Sequence, residues 1–268
     1  MNRPSTIRFI LALCLSALFV GTTHAEIVAP SGTKIKNLSS SLRKASIGLP
    51  PSPDFEVAQG DAWVLTGDNS IVDLGSGTHV LPKGFVAHSF ARTKAGSVVI
   101  ITESVLGGIS QGMFLPTTKL PYGNMRVVAG QGESVLIYGG PDKDQQLISY
   151  DGTSFSPLIS IAEPIDAVTH AADRVFFSTK NKVYTAKWGE APGLVFMFPD
   201  DSQMITGMAV DTASGVIYVA TKDAVFALNQ GMAFKKLQGV GGRLQFSDDV
   251  LYVLDSAQGL FASVRFPK

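Results

Sequence analysis

Gly108-Ile109-Ser110-Gln111-Gly112 spells G-x-S-x-G, the pattern of a nucleophile elbow in which a serine sits on a tight strand-to-helix turn. Here it falls between two expected strands, within a glycine-rich turn, and no helical pattern follows. The sequence predicts a hairpin loop at this point. Three histidines lie beyond residue 25: His79, His88 and His170. An imidazole can serve as a general base or metal ligand when carboxylates converge on it. His88, His170 and Asp211 lie on or just after runs that read as innermost strands. They are the candidate ligand-binding residues if those strands line one channel, although a one-residue slip would turn each side chain away. Hydrogen-bonded turn or channel residues account for the same pattern. Asp142-Lys143-Asp144 begins like a calcium loop but lacks Gly at the sixth position and Glu at the twelfth. Asp200-Asp201 and Asp248-Asp249 read as turn residues. There is no Walker A loop, dinucleotide fingerprint or paired Cys or His motif. The sequence therefore assigns no catalytic residue, no metal ligand and no cofactor.

The elements that would position such residues are clearest in residues 204–237. Ile205 to Val210 reads as a first strand, followed by an Asp211-Thr212-Ala213-Ser214-Gly215 turn. Val216 to Ala220 is a β-branched apolar run of five, too short for a helix and suited to a strand buried on both faces. Ala224 to Leu228 and Phe234 to Leu237 follow as third and fourth strands, the last carrying Lys235 and Lys236 on an exposed edge. Similar apolar strands centre near residues 64, 100, 137, 177, 218 and 252, so the spacings are 36, 37, 40, 41 and 34. Third strands are expected at Ser70–Leu74, Gly112–Leu115, Gln146–Tyr150, Lys182–Ala186, Ala224–Leu228 and Gly259–Val264. A four-stranded unit repeated at this period predicts an all-β, six-bladed β-propeller of antiparallel blades. Two stacked immunoglobulin-like sandwiches fit the even spacing less well.

The last repeat, from Arg243 to Lys268, has room for three strands only. An otherwise unassigned strand at Lys34 to Leu38 is the natural fourth, so the N-terminal segment is expected to close the ring. Ser39 to Pro53 then reads as a linker or wrapping loop, because Pro50, Pro51 and Pro53 exclude regular structure around them. The expected organisation is a signal peptide over 1–25, a closing strand and linker over 26–53, and the propeller over 54–268.

Arg3 and Arg8, an apolar run from Phe9 to Val20 and Thr23-His24-Ala25 make a secretory signal peptide, with cleavage expected after Ala25. Twelve apolar residues are short for a membrane span of about 20. Cys14, the single cysteine, lies inside that run. Lipid attachment there is disfavoured by Leu13, where a small residue is needed. The mature chain would be free of disulfides and periplasmic or extracellular. Hydrophobic residues make up 45% and charged residues 16%, which argues for a packed core rather than disorder. Of 22 basic and 22 acidic residues the signal removes two arginines, leaving 20 against 22. That balance gives no reason to expect nucleic acid or an anionic membrane as partner. Asn37-Leu38-Ser39 fits a glycosylation pattern.

The pattern I-T-G-M-A-V-D-x-x-x-G-V-I-Y-V-A-T-K-D-A-V-F-A-L over 205–228 resembles repeats of six-bladed propellers of the NHL, SMP-30/gluconolactonase and two-component-regulator group. The resemblance is weaker over 165–186 and 243–262, and poor before residue 150. It implies the fold, and for the gluconolactonase type it implies one divalent cation held in the channel by Glu, Asn and Asp. Glu103, Glu133 and Glu163 fall in loops or strand ends, and no Asn falls on an expected inner strand. The reading that follows is an exported, non-enzymatic propeller that binds a protein or glycan through loops such as Leu106–Gln111 and Gly139–Gln145. The alternative is a metal-assisted, lactonase-type hydrolase working in the channel.

Overall fold

The structure is a computed structural model, and it describes residues 26–44, 54–58, 61–82, 84–93, 95–187 and 189–267. The expected signal peptide and most of the expected linker lie outside the described residues. An exposed strand β1 (Lys34–Asn37) comes first, followed by a six-residue helix α1 (Ser39–Lys44). The first blade comprises β2 (Phe55–Ala58), β3 (Asp61–Leu65) and β4 (Ile71–Asp73). The second comprises β5 (Ser89–Arg92), β6 (Val98–Ile101), β7 (Val105–Ser110) and β8 (Met113–Lys119). The third comprises β9 (Arg126–Ala129), β10 (Val135–Gly139), β11 (Gln145–Tyr150) and β12 (Phe155–Ile161). The fourth comprises β13 (Ala167–Ala171), β14 (Arg174–Thr179), β15 (Lys182–Ala186) and β16 (Gly193–Met197). The fifth comprises β17 (Gly207–Asp211), β18 (Val216–Ala220), β19 (Ala224–Asn229) and β20 (Met232–Gln238). The sixth comprises β21 (Arg243–Ser247), β22 (Val250–Asp255) and β23 (Leu260–Arg265).

Each blade is an antiparallel sheet, and the innermost strands β2, β5, β9, β13, β17 and β21 neighbour one another in that order and close back on β2. The closing strand is where the sequence puts it. Strand β1 pairs with β23, Lys34 opposite Arg265 and Asn37 opposite Ala262. The buried Ser39 hydroxyl accepts from the Phe261 N–H at 2.9 Å, and Leu42 packs with Phe55, Val64 and Phe261 between the last and first blades. The segment from Ser39 therefore begins as a helix rather than a loop, capped by the Asn37 side chain, which accepts from the Ser39 N–H at 2.8 Å.

Six apolar clusters fill the six seams between blades. Met208 and Val210 pack toward the fourth blade, whereas Ala209 packs toward the sixth. The second strands, such as Val135–Gly139 and Val216–Ala220, are buried on both faces between such seams, which is why these runs read as continuous β-branched segments rather than alternating ones. Two details differ from expectation. The first blade has three strands among the described residues, its outer edge met only by an isolated bridge from Val72 to His79. In the second blade the third strand is Val105–Ser110, and Met113–Lys119 is the fourth. Gly107 in that third strand faces the outer strand so closely that a Cβ would lie 2.3 Å from the Leu115 carbonyl oxygen. Two glycines in a row mask a strand from propensity reading, which explains the misplacement. Leu106–Gln111 is accordingly mostly strand, not a recognition loop. Gln111 and Gly112, both at positive φ (51° and 72°), make the two-residue hairpin turn.

Among the described residues no helix is long and apolar enough to cross a membrane.

Candidate active site in the central channel

All six innermost strands start at the same end of the ring, and their first residues meet there. Asp54, immediately before β2, accepts from Ser89 Oγ at 2.5 Å, the first residue of β5. It also forms an ion pair with Arg126, the first residue of β9. Arg243, the first residue of β21, places Nη2 3.9 Å from Asp54 and donates from Nη1 to the Asp166 carbonyl at 3.2 Å, just before β13. A Cβ on Gly207, the first residue of β17, would lie 2.3 Å from the Gly242 carbonyl oxygen, so the strand starts of the fifth and sixth blades are also in contact here. Asp54 and Arg243 are largely buried, at 11% and 15% side-chain exposure, so the charges interact in a low-dielectric setting. Burial disfavours the charge on Arg126, but Asp54 outweighs it, and the guanidinium is held protonated beyond its ordinary range. Burial is also the main cause that raises the Asp166 carboxyl above the usual carboxylate range.

A cavity of about 220 Å³ runs down from this mouth, lined among others by Asp54, Glu56, Arg243, Gln245, Tyr138 and His170. Glu56 follows Asp54 on the same face of β2. Desolvation, aided by Asp54, raises its pKa from 4.5 to about 8 against the opposing pull of Arg92 and Gln245. Burial thus biases this carboxyl toward its protonated form. Gln245 Nε2 donates to Glu56 Oε2 at 3.0 Å and fixes the carboxyl. Arg92 stacks over the Trp63 ring, 4.4 Å from its centroid, on the side of the first blade.

His170 lies three residues into β13, about 10 Å from the mouth at roughly 3.3 Å per strand residue. Burial lowers its pKa, outweighing the Ala129 backbone, and leaves a neutral imidazole facing the cavity. Asp211 ends β17 at the far rim. There it accepts from the Ala213 and Ser214 N–H groups and from Ser214 Oγ at 3.0, 3.3 and 2.5 Å, as a turn aspartate does. His88 is exposed just before β5, at the mouth end. The three sequence candidates are thus spread over both ends of the channel, and only His170 lines the cavity. Ser110 of the G-x-S-x-G stretch is exposed at the end of β7, with no helix after it. The residues that sequence reasoning missed are Asp54, Glu56, Arg126, Arg243 and Gln245. Their one sequence signal is position: Asp54, Arg126 and Arg243 each stand at or just before the start of an inner strand.

The divalent cation implied by the gluconolactonase resemblance does not fit this arrangement. The mouth carboxylate is taken by a guanidinium and a hydroxyl, and no three His, Cys, Asp or Glu among the described residues are grouped to hold a metal.

No family model matches the sequence, and no curated protein matches it. Solved structures match over most of the chain. A gluconolactonase from Xanthomonas campestris is 9% identical, with a TM-score of 0.68 over 89% of this chain and 91% of its own. A protein assigned as a gluconolactonase is 15% identical, with a TM-score of 0.63 over 89% and 93%. The extracellular domain of a protein assigned to the hybrid two-component systems of B. thetaiotaomicron is 10% identical, with a TM-score of 0.56 over 80% of this chain and 32% of that one. The expectation of a non-enzymatic protein- or glycan-binding scaffold is corrected by these matches, since two solved structures of this fold that match over most of the chain are gluconolactonase-type. At these identities the likeness fixes architecture, and the chain is a six-bladed β-propeller with the fold that gluconolactonases share.

Proposed function

We propose that this propeller is a lactone hydrolase working in its central channel without a divalent cation. One observation carries the reading: the Glu56 carboxyl, raised well above the carboxylate range, lines the same cavity as the Arg243 guanidinium and the His170 imidazole. In lactone opening, water adds to the carbonyl carbon, negative charge grows on the carbonyl oxygen, and the ring C–O bond breaks. Arg126 and Arg243 stabilise the oxyanion from the mouth, the role a cation would otherwise take. Glu56 protonates the departing ring oxygen, and His170 accepts the proton of the attacking water. The fold likeness to gluconolactonases supports the reaction class.

The test is pH-stat hydrolysis of glucono-δ-lactone and simple γ-lactones by the purified chain. Hydrolysis above the spontaneous rate, unchanged by EDTA and lowered about 10²-fold or more in Glu56→Gln, is expected. Absence of any rate above background for every lactone, or complete loss with EDTA, would sink the proposal.

Export belongs to the same reading. Residues 1–25 act as a cleaved signal peptide, and the protein works in the periplasm or outside the cell, as the extracellular setting of a similar propeller supports. Mass spectrometry of the secreted protein should find Glu26 at its N-terminus.

A further inference from the structure

Two guanidinium groups and two carboxyl groups meet at the mouth, and the arrangement leaves one guanidinium short of hydrogen-bond partners. Asp54 is the carboxylate that faces both arginines. It gives one oxygen to Arg126 and the other to Ser89. Arg243 Nη2, at 3.9 Å from Asp54, is beyond hydrogen-bond range, and Arg243 Nε is buried with no partner among the described residues. The remaining Arg243 contact is to a neutral main-chain carbonyl, that of Asp166. The Asp166 carboxylate acts on Arg243 electrostatically at longer range, its Oδ2 being engaged by the Lys180 N–H at 2.6 Å. Glu56, deeper in the cavity, is held by Gln245 and is uncharged below about pH 8. A guanidinium fork with unmet hydrogen-bond donors at a largely buried pocket edge fits a carboxylate better than a cation.

We infer that the channel mouth is a binding site for a small hydroxycarboxylate, its carboxylate clamped between Arg126 and Arg243. The anion completes the hydrogen bonding of Arg243 without displacing Asp54 from Arg126. The hydroxy-acid identity of the ligand rests on the lactone reading, since a hydroxy acid is what lactone opening releases. The preference for an anion rests on the mouth geometry alone.

Sodium gluconate is the probe, titrated calorimetrically into the purified full chain at low ionic strength, with calcium chloride as the comparison. Gluconate should bind, and affinity should fall with added sodium chloride. Arg243→Gln should weaken binding about tenfold or more, and Arg243→Lys should recover only part, because lysine keeps the charge but loses the fork. If a variant fails to fold, phenylglyoxal labelling of the unmodified protein replaces it. Gluconate should then protect Arg126 and Arg243, and peptide mapping reads the protection. No gluconate heat and no protection, unchanged affinity in Arg243→Gln, or binding of calcium in place of gluconate would overturn the inference. Gluconate binding with no lactone turnover would remove the hydrolase reading and leave the anion site standing. Turnover without gluconate binding or protection would do the reverse.

Discussion

Gln245 binds Val57 as a strand would: its Oε1 accepts from the Val57 N–H at 2.6 Å, and its Nε2 donates to the Val57 carbonyl at 3.1 Å. The side chain thereby welds the last blade to the first, while the same Nε2 holds Glu56. Gln245→Ala removes all three bonds at a buried seam. It should lower stability by about 2–3 kcal/mol, read as a fall in the urea midpoint at unchanged slope. A variant as stable as the parent would show that the clasp is incidental.

Glu56 makes the fold sensitive to alkali. Its pKa is raised from 4.5 in the unfolded chain to about 8 in the folded one. Between those values the native state holds a proton that the unfolded state has lost, so stability falls as pH rises through this window and levels off above it. Asp166, also raised, adds to the same trend, whereas the lowered His170 opposes it below its ordinary range. Subtracting the melting curves of Glu56→Gln from those of the parent isolates the glutamate. The difference should favour the variant increasingly from pH 5 to 8, reaching a few kcal/mol in order of magnitude. A flat difference would show that Glu56 titrates normally.

Ring closure depends on the N-terminal segment. Deleting residues 26–40 removes strand β1 and Ser39, leaving the edge of β23 unpaired. The truncated chain should melt well below the parent in one cooperative transition. The milder Ser39→Ala loses the bond from the Phe261 N–H at a buried position and should cost about 1–2 kcal/mol by chemical denaturation. A truncated chain melting like the parent would contradict closure by this strand.

Gly207 admits no side chain. A Cβ there would lie 2.3 Å from the Gly242 carbonyl and 2.9 Å from Arg243 Cα, both main-chain atoms that cannot swing aside. Gly207→Ala should therefore force the fifth and sixth blades apart and cost about 1–3 kcal/mol. Because Arg243 lies next to the clash, gluconate affinity should fall too. Calorimetry on the folded variant checks the second effect separately from the first.

The blade pattern was legible because it is local. Val216–Ala220, Val135–Gly139 and Val250–Asp255 are β-branched or apolar runs bounded by Asp, Asn and Gly turns, and each is a second strand of its blade. The register slipped where Gly107 and Gly108 dilute the apolar signal of β7. The exposed β1 has no apolar alternation, and only the missing fourth strand of the last repeat points to it.

By itself, then, the sequence determined the all-β repeat, its six copies and the need for an N-terminal strand to complete the last, since each follows from short-range propensity and from the number of strands a blade requires. Tertiary structure alone decided the chemistry. Asp54, Arg126 and Arg243 look like ordinary surface charges where they stand in the chain. Closing the ring brings the first residues of distant inner strands to one end of the channel, where Asp54 pairs with Arg126 beside Arg243 and burial lifts the Glu56 carboxyl well above the usual carboxylate range.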